Sequence, residues 1–311
     1  MVYTVTFNPA IDYVMSAESV RMGSINRMEK EQIFYGGKGI NVSIILNRLQ
    51  IPTKALGFIA GFTGEEIADG LSRMGVESDF VRLSHGMSRI NVKVRAEEET
   101  DYNAAGPCIE KKDVEALYRK LDVLKEGDVL VLAGSIPTSL PDSMYEEILE
   151  YVKDKKVCVV VDAQGELLCR VLPYHPFLIK PNKEELEEIF QTKIKTLQEV
   201  FRYAKKLKEQ GARNVLVSLG KEGALLLTEE EDVYQILPPN GPVLNTVGAG
   251  DSMVAGFIAG YLESKDMKNA LILGTAAGSA TAFSIGLATQ KKIHSLVGKS
   301  AKTAKKWELC Q

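Results

Sequence analysis

Cysteine and histidine are scarce in this chain of 311 residues. No two of the four cysteines form a CxxC pair, which excludes a disulfide framework and the usual zinc spacings. The three histidines lie far apart in sequence, so a histidine-based metal site is not expected. The cysteines are Cys108, Cys158, Cys169 and Cys310, and the histidines are His85, His175 and His294.

An excess of basic charge is also absent, because 38 basic residues face 41 acidic ones and the net charge is -3. No general positive field would attract nucleic acid, so a phosphate-bearing ligand would have to be held at a local site. The first residues, Met1–Val5, lack the basic segment and the apolar core of a signal peptide. This predicts a cytoplasmic protein.

A long uncharged stretch, residues 269–290, could span a membrane by its length but consists largely of Gly, Ala, Ser and Thr. It contains one GxxxG pattern, and residues 256–260 contain another. Such patterns let two helices pack closely. We therefore expect a buried pair of helices and no membrane partner.

What the chain does contain is a regular alternation of strand-like and helix-like segments. Its 45% of hydrophobic residues suffice for a sizeable core. The continuous apolar runs Val129–Leu132 and Val157–Val161 suit strands that are buried on both faces. The pattern predicts an α/β fold with a mostly parallel sheet, in a single domain over residues 1–311.

Two segments, residues 12–35 and 87–106, interrupt this alternation. The second contains two strand-like runs, Arg89–Arg95 and Thr100–Asn103, around an acidic turn. We therefore predict a small lid of β-strands beside the main sheet, with ordinary long loops as the alternative. Exposed strand edges need covering, so a homodimer that pairs two lids is expected.

The glycine clusters match neither of the common phosphate-binding loops. The Walker A pattern fails because Ile293 stands where its first glycine belongs. The Rossmann GxGxxG pattern fails because Met253 replaces its third glycine.

The cluster near the C-terminus comes directly before an apolar helix. Gly248, Ala249 and Gly250 would leave backbone N–H groups free to face an anion, assisted by the helix dipole. Asp251 follows them. A carboxylate beside an anion hole suits phosphoryl transfer, in which a base accepts the proton of the attacking hydroxyl. The alternative is that Asp251 only caps the helix.

The cluster at residues 36–39 also lies where a loop becomes a helix. Gly37 permits a tight turn, Lys38 supplies a point charge, and Asn41 offers a donor and an acceptor to a polar ligand. A helix start with a surface lysine is the alternative. Asp12, after the first strand, is either an acceptor for sugar hydroxyls or a turn residue.

The motifs at residues 36–41 and 245–252 together resemble the two signatures of the PfkB family of sugar kinases, which share the ribokinase-like fold. The resemblance covers essentially the whole chain and implies a three-layer α/β/α architecture. It departs from the family at Asn245, where members usually carry Asp. Further matches lie at residues 8–12, 89–93, 133–137 and 180–185.

The resemblance implies a role for each candidate residue in the sugar half of the site. Asp251 resembles the catalytic base, and Gly248, Ala249 and Gly250 resemble the anion hole. Lys38 and Arg89 would bind the phosphate already on the sugar; an exposed strand face would look the same around Arg89. The implied sugar-phosphate site is Asp12, Gly37, Lys38, Asn41, Arg89, Asn91 and Ser135, with Arg27 of the lid as a weaker candidate.

The resemblance also implies an ATP site and a Mg²⁺ ion. Mg²⁺ usually keeps several waters, so Glu185 would act on the ion through water. Asn182 and Glu185 are also a helix-capping pattern, which is the alternative. The implied nucleotide contacts are Lys180, Asn182, Glu185, Ser218, Gly220 and Gly223.

The activity that the resemblance implies is ATP-dependent phosphorylation of a ketohexose monophosphate to a 1,6-bisphosphate. Residues 89–93 and 100–103 favour fructose 1-phosphate as the substrate, and tagatose 6-phosphate is the alternative. A sensor that binds a sugar phosphate without catalysis is an alternative of another class, although binding alone does not require Asp251.

Overall fold

The computed structural model describes residues 1–307, so Cys310 lies outside the described residues. The strands are β1 (Val2–Thr6), β2 (Ala10–Ser16), β3 (Lys30–Gly36), β4 (Thr53–Ala60), β5 (Glu77–Ser78), β6 (Val81–Leu83), β7 (Arg89–Arg95), β8 (Glu99–Tyr102), β9 (Val129–Ala133), β10 (Cys158–Asp162), β11 (Leu178–Ile179), β12 (Asn214–Ser218), β13 (Ala224–Leu227), β14 (Val233–Ile236) and β15 (Lys305–Lys306). The α-helices are α1 (Lys38–Arg48), α2 (Gly61–Arg73), α3 (Lys111–Leu121), α4 (Met144–Val152), α5 (Gly165–Val171), α6 (Lys183–Ile189), α7 (Leu197–Glu209), α8 (Ala249–Ser264), α9 (Met267–Ala282) and α10 (Gln290–Ala301).

The main sheet is mostly parallel, as the sequence predicts. Its strands run in the order β15-β14-β13-β12-β11-β10-β9-β1-β4-β5, and β6 also pairs with β4. Every pairing from β12 to β5 is parallel, whereas β13, β14 and β15 form an antiparallel edge. The central strand β9 is buried over its whole length, which explains its unbroken apolar sequence.

Helices cover both faces of this sheet. Alternate residues of β9 point to opposite sides, so Leu130 and Leu132 join one buried cluster while Val129 and Val131 join the other. Apolar residues of α3 to α7 complete the first cluster, and those of α1, α8, α9 and α10 complete the second. The result is the three-layer α/β/α arrangement.

The segments that interrupt the alternation form a separate four-stranded sheet in the order β3-β2-β7-β8. The central pair, β2 and β7, is parallel, and its register places Asp12 opposite Asn91. Strand β7 has the predicted bounds, so ordinary long loops are the wrong interpretation. The lid role of this sheet, and the single domain, stay predictions.

The two glycine-rich helices α8 and α9 pack against each other, as their GxxxG patterns predict. A Cβ atom on Gly256 would lie 2.6 Å from the carbonyl oxygen of Leu273 and 2.9 Å from the Cα atom of Gly274. Only hydrogen fits in that gap. Within residues 1–307, no helix combines the length and the apolar character that crossing a membrane requires.

Replacing Gly256 by alanine therefore tests the helix pair. The new methyl group overpacks the interface, and we expect Gly256→Ala to lower the free energy of unfolding by about 1–3 kcal/mol. Gly298→Ala is the matched control, because Gly298 lies in α10 with nothing within 4 Å of a new Cβ. That control is expected to gain about 0.5–1 kcal/mol from helix propensity. Urea denaturation measures both, and equal shifts in the two variants would contradict the packing.

Candidate active site

A cleft of about 960 Å³ opens at the carboxyl ends of the parallel strands. Open α/β sheets bind ligands at this edge. The ends of four strands reach the cleft through Thr6, Ala133, Asp162 and Ser218. The four-stranded sheet that we predict to be the lid contributes β2 and β7 from the other side. Its volume is at the upper end of that of ligand sites, so two small substrates can be held together.

The cleft collects most of the residues that the sequence singles out. Of that set, Ala249, Gly220, Gly223 and Arg27 do not line it. Gly223 instead allows close strand packing, since a Cβ there would lie 1.9 Å from the carbonyl oxygen of Ile236. The candidate residues that line the cleft are Asp12, Gly37, Lys38, Asn41, Arg89, Asn91, Ser135, Lys180, Asn182, Glu185, Ser218, Gly248, Gly250 and Asp251.

A buried carboxylate that the sequence analysis missed, Asp162, lies at the centre of the cleft. It ends β10 and is 1% exposed. Its Oδ1 atom lies 3.0 Å from Nζ of Lys38 and 3.5 Å from Nζ of Lys180. Burial alone would raise its pKa, but the ammonium groups of Lys180 and Lys38 outweigh burial and hold the pKa below its ordinary value. Asp162 is therefore ionised at neutral pH.

The pKa of Asp251, the third residue of α8, is shifted in the opposite direction. Its Oδ2 atom accepts a hydrogen bond of 2.7 Å from Nδ2 of Asn41. Burial raises the pKa of Asp251 to about 6, and the negative charge of Asp162 adds to that rise. A carboxylate with a pKa close to neutral is suited to accept a proton from a substrate.

The start of α8 offers donors to an anion. Gly248 has φ +77°, a left-handed conformation, and its carbonyl accepts from the N–H of Ser252. Ala249 donates to the carbonyl of Thr246 at 3.2 Å, whereas the N–H groups of Gly250 and Asp251 have no acceptor within residues 1–307. The N–H group of Gly248 has no acceptor in this part of the chain either. The anion hole at 248–250 therefore stays a prediction, in which the amide of Ala249 is already engaged and that of Asp251 is a further free donor.

Asn245, where the sequence departs from the family pattern, fixes the loop before α8. Its Oδ1 atom accepts from the N–H of Val247 at 3.0 Å, and its Nδ2 atom donates to the carbonyl of Ile285 at 2.8 Å. An aspartate could make the first bond but has no hydrogen for the second. The amide thus ties the loop to Ile285.

The lid side of the cleft is polar and already hydrogen-bonded. Nδ2 of Asn91 donates to Oδ1 of Asp12 at 2.9 Å. Nε and Nη2 of Arg89 donate to the carbonyl of Asn8 at 3.1 and 2.5 Å, and burial lowers the pKa of Arg89. Asn91 is buried. These side chains face the cleft, so an exposed strand face is the wrong interpretation.

The Asn182 and Glu185 pair does cap a helix. The N–H of Glu185 donates to Oδ1 of Asn182 at 2.7 Å, and the N–H of Asn182 donates to Oε2 of Glu185 at 2.8 Å. Both residues also line the cleft, so capping and ligand contact are compatible. Capping fixes the direction of the buried Glu185 side chain.

The donor set suits a magnesium ion that keeps its waters. Residues 1–307 contain no group of three or more His, Cys, Asp or Glu side chains arranged to hold a metal directly. The Oδ2 atom of Asp162, however, is buried and has no hydrogen-bond partner in that part of the chain. This oxygen and Glu185 fit water-mediated Mg²⁺.

A carboxylate with a raised pKa, free amides at a helix start and two lysines around a buried carboxylate are the features of a phosphotransferase site. Residues 5–293 match the pfkB family of carbohydrate kinases, and the chain belongs to this family. It is therefore a sugar kinase with the ribokinase-like fold, as the sequence resemblance implies.

Several proteins of known name are similar to this chain over nearly its whole length. A 1-phosphofructokinase of Bacillus subtilis is 46% identical over 297 residues, which cover 96% of this chain and 97% of that protein. A D-tagatose-1-phosphate kinase of Bacillus licheniformis is 36% identical over 94% and 96% of the two chains. The structure of phosphofructokinase-2 from Escherichia coli in complex with substrates and products matches with a TM-score of 0.89, at 26% identity over 96% and 99%.

After burial, the negative charge of Asp162 is the next largest cause of the raised pKa of Asp251. Asp162→Asn removes one cause of the raised pKa and leaves the charges of Lys38 and Lys180, which lower that pKa, without their counter-ion. We expect the pKa of Asp251 to fall below about 6 in this variant, measured by carbon-13 NMR titration of the carboxyl group. Asp142→Asn, which changes another carboxylate lining the cleft, is the control. An Asp251 titration that is unchanged in Asp162→Asn would refute this coupling.

Proposed function

We propose that the protein transfers the γ-phosphoryl group of ATP to the C6 hydroxyl of fructose 1-phosphate, giving fructose 1,6-bisphosphate and ADP. The observation that carries the proposal is the Asp251 carboxylate, which is buried at the start of α8 and has a pKa of about 6. The relatives named for fructose 1-phosphate and tagatose 1-phosphate support a ketohexose 1-phosphate. Tagatose 1-phosphate therefore joins tagatose 6-phosphate among the alternatives.

In the proposed reaction Asp251 accepts the proton of the C6 hydroxyl as that oxygen attacks the γ-phosphorus. The bond between the γ-phosphorus and its bridging oxygen breaks, and ADP leaves in line with the attack. The N–H groups of Gly250 and Asp251 stabilise the negative charge on the phosphoryl oxygens, together with Lys180. A Cβ at Gly250 would lie 3.3 Å from Nζ of Lys180, so the ammonium group is close to the helix start.

The remaining cleft residues divide between the two substrates. Asp12, Asn41 and Asn91 would bind sugar hydroxyls, Arg89 the sugar phosphate, and Ser135 a further oxygen. Lys38 would stand between the two substrates because it contacts Asp162. When bound, Mg²⁺ would neutralise the phosphate oxygens of ATP, held through water by Asp162 and Glu185. The other proposed nucleotide contacts are Lys180, Asn182 and Ser218, which line the cleft, whereas Gly220 and Gly223 lie outside it.

A sugar-phosphate sensor is less well supported than a kinase. Binding alone gains nothing from a buried carboxylate with a raised pKa, because that group opposes an anionic ligand. A coupled assay with Mg·ATP decides between these functions and between substrates. The panel is fructose 1-phosphate, tagatose 1-phosphate, tagatose 6-phosphate, fructose 6-phosphate and fructose. Highest kcat/KM on fructose 1-phosphate supports the proposal, and no turnover on any of them favours the sensor.

Asp251→Asn separates catalysis from folding. We expect kcat to fall about 10²- to 10⁴-fold, because the base is lost. The folded-state pKa of Asp251 lies above its ordinary value of 3.8, so ionisation of this group destabilises the fold as the pH rises from about 4 to about 6. The variant should therefore be more stable than the wild type at pH 7.5, on the order of 3 kcal/mol. Thermal unfolding measures this, and near-wild-type turnover would overturn the role of Asp251.

A homodimer through the lid is part of the proposal. The face of the lid opposite Asp12 exposes apolar side chains, among them Ile33 (55% exposed) and Tyr102 (55%). Covering such a face by a second lid removes apolar surface from water. Cytoplasmic location stays a prediction from the sequence.

The variant Ile33→Lys is expected to weaken this dimer, because it places a charge in the proposed interface. Sedimentation velocity should show a dimer for the wild type and a larger monomer fraction for the variant. Val123→Lys is the control, since Val123 is equally exposed (57%) and lies between α3 and β9, outside the lid. A wild-type protein that is monomeric at micromolar concentration would contradict the proposal.

A further inference from the structure

Lys93 is a cation of the cleft to which neither the fold nor the reaction gives a role. It lies on β7 two residues beyond Asn91 and four beyond Arg89, so the three side chains share one face of the strand. Lys93 lines the active-site cleft and also a second cavity of about 310 Å³, which the lid shares with α1 and residues 285–287. It therefore stands where the two cavities meet.

The other cations of the cleft are engaged by the protein. Lys38 and Lys180 share the buried carboxylate of Asp162. Nε and Nη2 of Arg89 already donate hydrogen bonds to the carbonyl of Asn8. Arg170 lies 2.8 Å from Glu166 and 3.7 Å from Glu146.

Lys93 has a single ionic partner, and that partner is half-exposed. Its Nζ atom lies 2.8 Å from Oδ2 of Asp101 on β8, and the side chain of Asp101 is 49% exposed while that of Lys93 is 14% exposed. An ion pair with an exposed carboxylate contributes at most about 1 kcal/mol. A phosphate monoester carries nearly two charges and three acceptor oxygens, and its charge-assisted hydrogen bonds are stronger. Lys93 can therefore exchange Asp101 for a phosphate at little cost.

We propose that Lys93 binds the phosphate group that the sugar already carries, and that it thereby determines the preference for phosphorylated over free sugars. The inference rests on the proposed function and deepens it. Arg89, at the end of β7 next to the body, and Lys93, further out on the lid, are two cations on one face of one strand. Asn91 lies between them and holds Asp12 for the sugar hydroxyls. The phosphate would displace Asp101 from Lys93 when the substrate binds.

Lys93→Met tests the proposal, because the substitution should weaken the use of fructose 1-phosphate and leave the use of free fructose unchanged. A hydrogen bond to a charged group contributes about 1.5–3 kcal/mol, and each 1.4 kcal/mol is tenfold. We therefore expect the KM for fructose 1-phosphate to rise about ten- to hundredfold, with the KM for ATP and the melting temperature nearly unchanged. Turnover of free fructose should not fall, because that substrate has no phosphate to lose. Lys93→Arg should recover part of the affinity.

Asp101→Asn distinguishes this role from a structural ion pair. If Lys93 binds the phosphate, the Asp101 carboxylate competes with that phosphate for Lys93. Removing this negative charge then lowers the KM for fructose 1-phosphate, by up to about fivefold. If the pair only stabilises the lid, Asp101→Asn raises that KM as Lys93→Met does, and the inference fails. Arg95→Met is the matched control: Arg95 also lies on β7 and is paired with Glu99, but it lines only the second cavity.

Failure of the proposed function is visible separately, in the wild-type enzyme. A wild type that prefers another phosphosugar overturns fructose 1-phosphate as substrate, and the same variants then test Lys93 on that sugar. A wild type that prefers free fructose to every phosphosugar overturns both proposals. In Lys93→Met the KM for the phosphosugar could instead stay within twofold of the wild-type value. That result overturns the inference about Lys93 and leaves the proposed function intact.

Discussion

The structure depends on one buried charge, the carboxylate of Asp162. A carboxylate that is 1% exposed persists as an anion only when cations compensate for its lost hydration. The two lysines that do so come from distant parts of the chain, Lys38 at the start of α1 and Lys180 after β11. The same negative charge helps to keep the neighbouring Asp251 partly protonated near pH 6. One ion cluster therefore joins the two halves of the cleft and tunes the group that we propose as the base.

Much of this could be predicted from the sequence, because the signals are local. Continuous apolar runs identify the central strands, and the helix expected after the glycine cluster at residues 36–39 is found at Lys38–Arg48. Glycine motifs place both helix starts in the cleft, and the alternation of Arg89 and Asn91 matches their shared face on β7. The hydrogen bond between Asn41 and Asp251 joins two motifs 210 residues apart, and the resemblance to a kinase family anticipated that meeting.

Other features could not be predicted, for identifiable physical reasons. Asp162 is a single carboxylate after an apolar strand, and its importance comes from lysines that only the fold brings near it. Helix α5 has seven residues and β11 has two, too short for a periodic pattern. Gly223 looks like a ligand residue in sequence, but its contact with the carbonyl of Ile236 is a matter of strand packing. The donors at the start of α8 also depend on which amides the preceding turn already uses.

The short connection between β3 and α1 has a mechanical consequence. Strand β3 ends at Gly36 and α1 begins at Lys38, so a single residue joins the lid to the helix that carries Lys38 and Asn41. That residue, Gly37, has little room, since a Cβ there would lie 2.6 Å from Cγ2 of Thr6. A displacement of this four-stranded sheet would therefore also move the start of α1, and with it the hydrogen bond between Asn41 and Asp251. Under the proposed function, a sugar that moved this sheet would also realign the Asp251 carboxylate through Asn41, and this coupling would disfavour the transfer of phosphate to water when the acceptor is missing.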